Sequence, residues 1–109
     1  MKERIRKPGA RRLNAMIAEA LVDAYGEDEA ASAWCTTLEE QLSVPFISRV
    51  LGFEVTVARV KQNDAGEIVA VCRRGREQQA IPLLDLPLPQ PPPEGAEWIE
   101  AYRRWVRAR

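Results

Sequence analysis

Histidine is absent from this 109-residue chain, and cysteine occurs only at Cys35 and Cys72. Without an imidazole, neither a Ser-His-Asp nor a Cys-His nucleophile can be assembled. Two cysteines with no histidine cannot close a structural zinc site. Their separation matches no metal spacing, so both are expected as buried small apolar residues rather than as a disulfide. The six glycines are scattered singly, which excludes a Walker loop or a dinucleotide fingerprint. No apolar run approaches the roughly 18 residues of a membrane span. The opening segment MKERIRKPGA also lacks the apolar stretch of a signal peptide, so a soluble, cytoplasmic protein is expected.

What is present is a modest apolar content, 46%, and as many acids as bases, 16 of each. That length and composition suit one domain with a small core. Residues 1–12 carry Lys2, Arg4, Arg6, Lys7, Arg11 and Arg12 against Glu3 alone, and Pro8-Gly9 interrupts any early helix. They are expected as a basic, flexible tail ahead of a single domain over residues 13–109. Leu13, Met16, Ile17, Ala20, Leu21 and Ala24 then make the stripe of an amphipathic helix, with Gly26 placed as its C-terminal cap. In the next segment Glu27, Asp28 and Glu29 suit a helix N-terminus, and Ala31, Trp34, Leu38 and Leu42 continue at helical spacing. Pro45 holds the residue before it extended, which ends the helical region 13–43.

Beyond Pro45 the period falls to two. Phe53, Val55 and Val57 alternate with Glu54, Thr56 and Ala58, Gly52 is expected to bend the chain or form a bulge, and Lys61 to Gly66 reads as a hairpin loop. Glu67 to Arg73 is apolar on both faces and should be a central strand. Short antiparallel strands across residues 45–84 predict a small SH3-like, barrel-like sheet. Residues 86–93, LPLPQPPP, form a proline-rich crossing expected in polyproline II geometry. A final helix over 94–108 presents Trp98, Ile99, Tyr102, Trp105 and Val106. Its acids come first and its arginines last, with Glu100 and Arg104 spaced to pair. The fold class expected is therefore α+β: two N-terminal helices, a compact antiparallel sheet and a C-terminal helix.

Two charge clusters bear on function. From Leu13 to Ser48 there are seven acids (Glu19, Asp23, Glu27, Asp28, Glu29, Glu39, Glu40) and no lysine or arginine. Solvated helix faces often look like this, but the same carboxylates suit a hard cation, which takes oxygen ligands. The second cluster is basic: Arg59, Lys61, Arg73, Arg74 and Arg76 on adjoining hairpins. It suggests a rim for a phosphate backbone or a protein partner. Single-strand recognition, however, needs stacking rings, and Phe53 is the only aromatic on those strands, so nucleic acid is not the expected partner. No EF-hand loop is present at Asn63 to Gly66, and so small a chain leaves little room for an enclosed substrate pocket, so an enzyme is not expected.

Several of these pieces recur together in one family. Val22-Asp23-Ala24-Tyr25, the acids after it, Trp34, Leu38-Glu39, Leu42, Pro45-Phe46, the run Gly52 to Val57, Gly75-Arg76, Pro82-Leu83 and the closing Tyr102 and Trp105 resemble the CcbP-type calcium-binding proteins, small bacterial cytosolic domains. The likeness spans residues 14 to 106. It implies a non-enzymatic domain that holds Ca²⁺ through acidic side chains on its surface. Candidate ligands are then Glu39 and Glu40 near the helix-to-strand turn, with Asp23 and Asp28 around the first helix junction. Adjacent helical residues diverge by about 100°, so Glu39 and Glu40 do not automatically face one ion. An open site with few carboxylates implies weak affinity, on the order of 10⁻⁵ to 10⁻³ M. The alternative is a metal-free protein- or nucleic-acid-binding module that uses the basic rim.

Overall fold

The structure, a computed structural model, describes residues 8–109. In chain order it has α1 (Ala10–Ala20), α2 (Glu27–Gln41), β1 (Phe46–Val50), β2 (Phe53–Gln62), β3 (Ile68–Arg74), β4 (Glu77–Pro82), a 3₁₀ turn (Leu83–Asp85) and α3 (Glu97–Ala108). The first seven residues of the expected basic tail lie outside the described residues. Its last members do not belong to a tail, because Arg11 and Arg12 already form the first turn of α1 behind the Gly9 N-cap. The class is the expected α+β, with helices at both ends of the chain and a four-stranded antiparallel sheet between them.

The strands follow one another as a meander, β1-β2-β3-β4, so among the described residues the ladder stays open at β1 and β4. β3 is interior, and Ile68 to Cys72 are buried on both faces, as an uninterrupted apolar run requires. β2 and β3 lose step between Val57 and Arg59, where Ala58 forms a bulge. The bulge brings Val57 and Val60, three positions apart, to the same buried face. Of the bend or bulge expected at Gly52, the chain makes the bend, as a tight hairpin: Val50 pairs with Phe53, and Leu51 and Gly52 both sit at positive φ, 51° and 83°. That is the primed turn whose twist matches the flanking strands.

Helix periodicity sets what covers the sheet. Trp34, Cys35, Leu38 and Leu42 on one side of α2 are buried, and so are Trp98, Ile99 and Ala101 of α3. They close over Val57, Val60, Ile68, Ala70 and Cys72, while α1 adds Met16 and packs against α3. Three rings meet between α2 and α3: Trp34 lies 5.4 Å from Tyr102 and 6.0 Å from Trp105, centroid to centroid. At the far end of α3, Arg109 bonds Glu27 at 3.3 Å and so ties the end of that helix to the start of α2. Glu100 pairs with Arg103 at 3.7 Å, while the Nε–H of Arg104, spaced to pair with Glu100, donates to Asn14 Oδ1 at 2.8 Å.

Several helix boundaries differ from the sequence expectation, and α3 begins at Glu97 rather than at residue 94. α1 stops at Ala20, and the chain tightens into a turn in which the Ala24 N–H bonds the Leu21 carbonyl at 3.0 Å. Gly26 therefore does not end α1; it is the N-cap of α2. The residue after the proline-rich crossing holds the other end of α2, and the crossing itself holds β1. Ser43 N–H donates to the Glu94 carbonyl at 2.9 Å, and the Ser48 hydroxyl donates to the Pro87 carbonyl.

Gly95 lies against the last turn of α2 at φ 88°. A Cβ there would be driven into the Gln41 carbonyl, 2.6 Å from its carbon and 2.9 Å from Leu42 Cα. Both contacts are backbone, so neither can swing aside. Gly95→Ala should lower unfolding free energy by at least about 3 kcal/mol in denaturant titration; a loss below ~1 kcal/mol would show that the junction adjusts. Leu51 presents the opposite case, a bulky residue in a left-handed turn position. Leu51→Asn should raise stability by roughly 1 kcal/mol, read as a shift in the denaturant midpoint at unchanged slope.

Candidate metal centre

The turn after α1 and the first two turns of α2 create the main acidic surface. Glu27, Asp28 and Glu29 occupy the first turn of α2, where the exposed N–H groups favour negative charge. From Asp28 the positions i+4 and i+8 are Ser32 and Thr36, so one polar stripe runs up the helix on the side away from Leu38. The turn carrying Asp23 folds beside this stripe. Asp23, Asp28, Glu29, Ser32, Thr36 and Thr37 line one open depression of about 510 Å³. Every polar side chain on that wall offers oxygen, which is the donor type a hard cation takes. Among the described residues, however, no three acidic, cysteine or histidine side chains gather into a group that could hold a metal ion. The wall fits Ca²⁺ in donor chemistry and supplies only part of a coordination sphere.

The four candidate ligands thus separate into three places. Asp23 and Asp28 share the depression, joined by Glu29, which sequence reasoning passed over along with Ser32 and Thr36. The i, i+4, i+8 spacing from Asp28 was the signal available. Glu39 lies elsewhere, in a recess of about 140 Å³ shared with Arg59 and Val44 at the helix-to-strand turn. Glu40 is exposed and lines neither cavity. The basic rim is divided as well: Arg59 and Lys61 are in the second half of β2, while Arg73, Arg74 and Arg76 gather at the β3–β4 turn.

Glu39 has a neighbour that reports on it. The Cys35 thiol donates to Glu39 Oε1 at 3.6 Å. Burial, then the Glu39 charge, then this hydrogen bond push the Cys35 thiol from 9.0 up to about 11. Both cysteines are free and buried, as expected for small apolar residues. Because the thiol keeps its proton more firmly in the folded chain, this contribution to stability is complete below pH 9.0 and disappears as pH rises through about 11. Burial also raises Cys72 and, against the opposing charge of Arg109, Tyr102. Unfolding free energy should therefore fall between about pH 9 and 11, and Cys35→Ala should remove part of that slope in denaturant titrations. An unaltered slope would mean the Cys35 thiol is not held protonated by its surroundings.

A protein-family model described as calcium binding, that of CcbP, matches residues 14–106. Among solved structures, the crystal structure of Anabaena CcbP superposes with a TM-score of 0.74 over 97% of this chain and 95% of that one. The two are 18% identical, so this likeness speaks for a shared fold. No curated protein matches the chain. No described helix is long and apolar enough to cross a membrane. With the family model spanning nearly the whole described chain, the protein belongs to the CcbP family of calcium-binding proteins.

Proposed function

We propose that residues 13–109 act as one non-enzymatic, cytoplasmic domain that binds Ca²⁺ weakly at surface carboxylates. Asp23 and Asp28 are its principal ligands, assisted by Glu29. The observation that carries this reading is the shared wall, its polar side chains all oxygen donors, that brings Asp23 and Asp28 to one depression in a chain of a calcium-binding family. Water would complete the sphere, since a Ca²⁺ ion takes about six to eight oxygens. Glu39, beside Arg59 at the end of α2, is a poorer position for a cation, and Glu40 does not share it. Two free thiols accord with a reducing compartment.

Calorimetry on metal-stripped protein tests this directly. Ca²⁺ should give a saturable signal with Kd on the order of 10⁻⁵ to 10⁻³ M, and Mg²⁺ a weaker one because it dehydrates reluctantly. Asp23→Asn with Asp28→Asn should weaken binding about 10-fold or more, whereas Glu39→Gln with Glu40→Gln should leave most of it. No saturable heat at about 5 mM Ca²⁺ would overturn calcium binding by this chain. Loss confined to the Glu39/Glu40 variant would instead move the site to the end of α2.

A further inference from the structure

Two exposed apolar patches stand at opposite ends of the molecule, and they carry opposite charge. The first is at the tip of the sheet, where the β1–β2 and β3–β4 turns lie side by side. Leu51 is 94% exposed and Phe53 54% exposed, and with Val55 and Ile81 they border an open groove of about 210 Å³. Arginine dominates the surroundings: Arg49, Arg73, Arg74 and Arg76 outnumber Glu54 and Glu77. The Arg74 guanidinium lies 4.3 Å above the Phe53 ring, so charge and apolar surface are one continuous patch. The second patch is the α1–α2 junction, where Val22 is 71% and Tyr25 78% exposed. Its neighbours are Glu19, Asp23, Glu27, Asp28 and Glu29, with no basic residue between Leu13 and Ser48. Of these acids Glu27 is engaged by Arg109.

The two patches cannot meet within one chain. Ser32 in α2 hydrogen-bonds Gln62 at 3.4 Å, which fixes the junction near the far end of β2. Phe53 begins that same strand, about 30 Å away at the usual rise per residue. Leu51 makes the tip harder to dismiss as incidental surface, since it occupies a left-handed position, φ 51°, that glycine or asparagine would fill with less strain. Strain kept at a fully exposed apolar residue points to a use for that residue.

The geometry points to a second copy of this chain as the occupant: the arginine-rimmed tip of one molecule receives the acid-rimmed Val22/Tyr25 junction of the next. Tyr25 enters the groove beside Leu51 and Phe53, while arginines of the tip face Asp23, Asp28 and Glu29. A tyrosine among arginines and apolar side chains is a composition that protein contacts favour. Because the two surfaces differ, the contact is head-to-tail. Each added copy leaves one tip and one junction free, and assembly continues unless the rotation closes a ring. Zero net charge does nothing to oppose it.

Sedimentation in chelator-containing buffer tests this apart from any calcium site. At about 50 mM salt, weight-average mass should climb above that of one 12.3 kDa chain as concentration rises, and fall back at about 500 mM salt. A tip variant, Leu51→Asn with Phe53→Thr, and a junction variant, Val22→Ser with Tyr25→Ser, should each stay at the mass of one chain. Mixed in equal amounts they should form a dimer and no more, because one intact tip and one intact junction remain. Thermal midpoints close to that of the parent chain confirm that both variants are folded. A parent chain of constant mass at about 1 mM and low salt overturns the proposal. So does a mixture that fails to dimerise, or a junction variant that assembles as the parent does.

Discussion

Trp34 projects from the middle of α2 with its ring fully buried, within ring-stacking distance of both Tyr102 and Trp105 on α3. This contact joins helices that the chain separates by the whole sheet, and the core on β2 and β3 closes beneath it. Its polar edge comes at a cost, since Trp34 Nε1 is buried without a partner among the described residues. An unsatisfied N–H of this kind costs about 1–3 kcal/mol. Emptying the site of its ring would cost about 3–5 kcal/mol, so packing outweighs the lost hydrogen bond. With Trp34 seated, α3 is held along α2, and the Arg109–Glu27 pair adds only an exposed tether at its end.

The division of charge follows from this scaffold. Acids at the start of α2 suit the helix dipole and so settle at the α1–α2 junction. Arginines at the β3–β4 turn meet no such preference; they sit where two hairpin tips leave Leu51 and the Phe53 ring open. The proposed ion site and the proposed contact between copies therefore draw on the same carboxylates, Asp23 and Asp28. The chain is neutral in sum, yet its charge is strongly polarised from end to end.

Much of the fold was legible because periodicity is local. Met16, Trp34, Leu38, Val57 and Ile99 were all visible as core positions, and the run Ile68 to Cys72 declared a central strand. Gly26 was misplaced because a glycine between two helical stripes can end one or begin the other, and only the early stop of α1 decides. Nothing near Gly95 in sequence shows that it must pass against Gln41, some fifty residues away. The candidate site suffered the same limit. A density of acids can be counted along the chain, but Asp23 comes to line the same depression as Asp28 through a turn, whereas Glu39 and Glu40 leave the helix in different directions.

The bulge at Ala58 allows a different kind of variation. Val57 faces the core before it and Val60 after it, while Arg59 stays outside. With Ala58 counted as the extra residue, a strand one residue shorter would keep the same inside and outside. The first half of β2 carries the hairpin tip, and the second half carries the helices. Length can change at this one point without exchanging those faces, and what would change is the angle at which the tip leaves the body. Within this fold, Ala58 is where the direction of the arginine-rich end can be varied while its core is left alone.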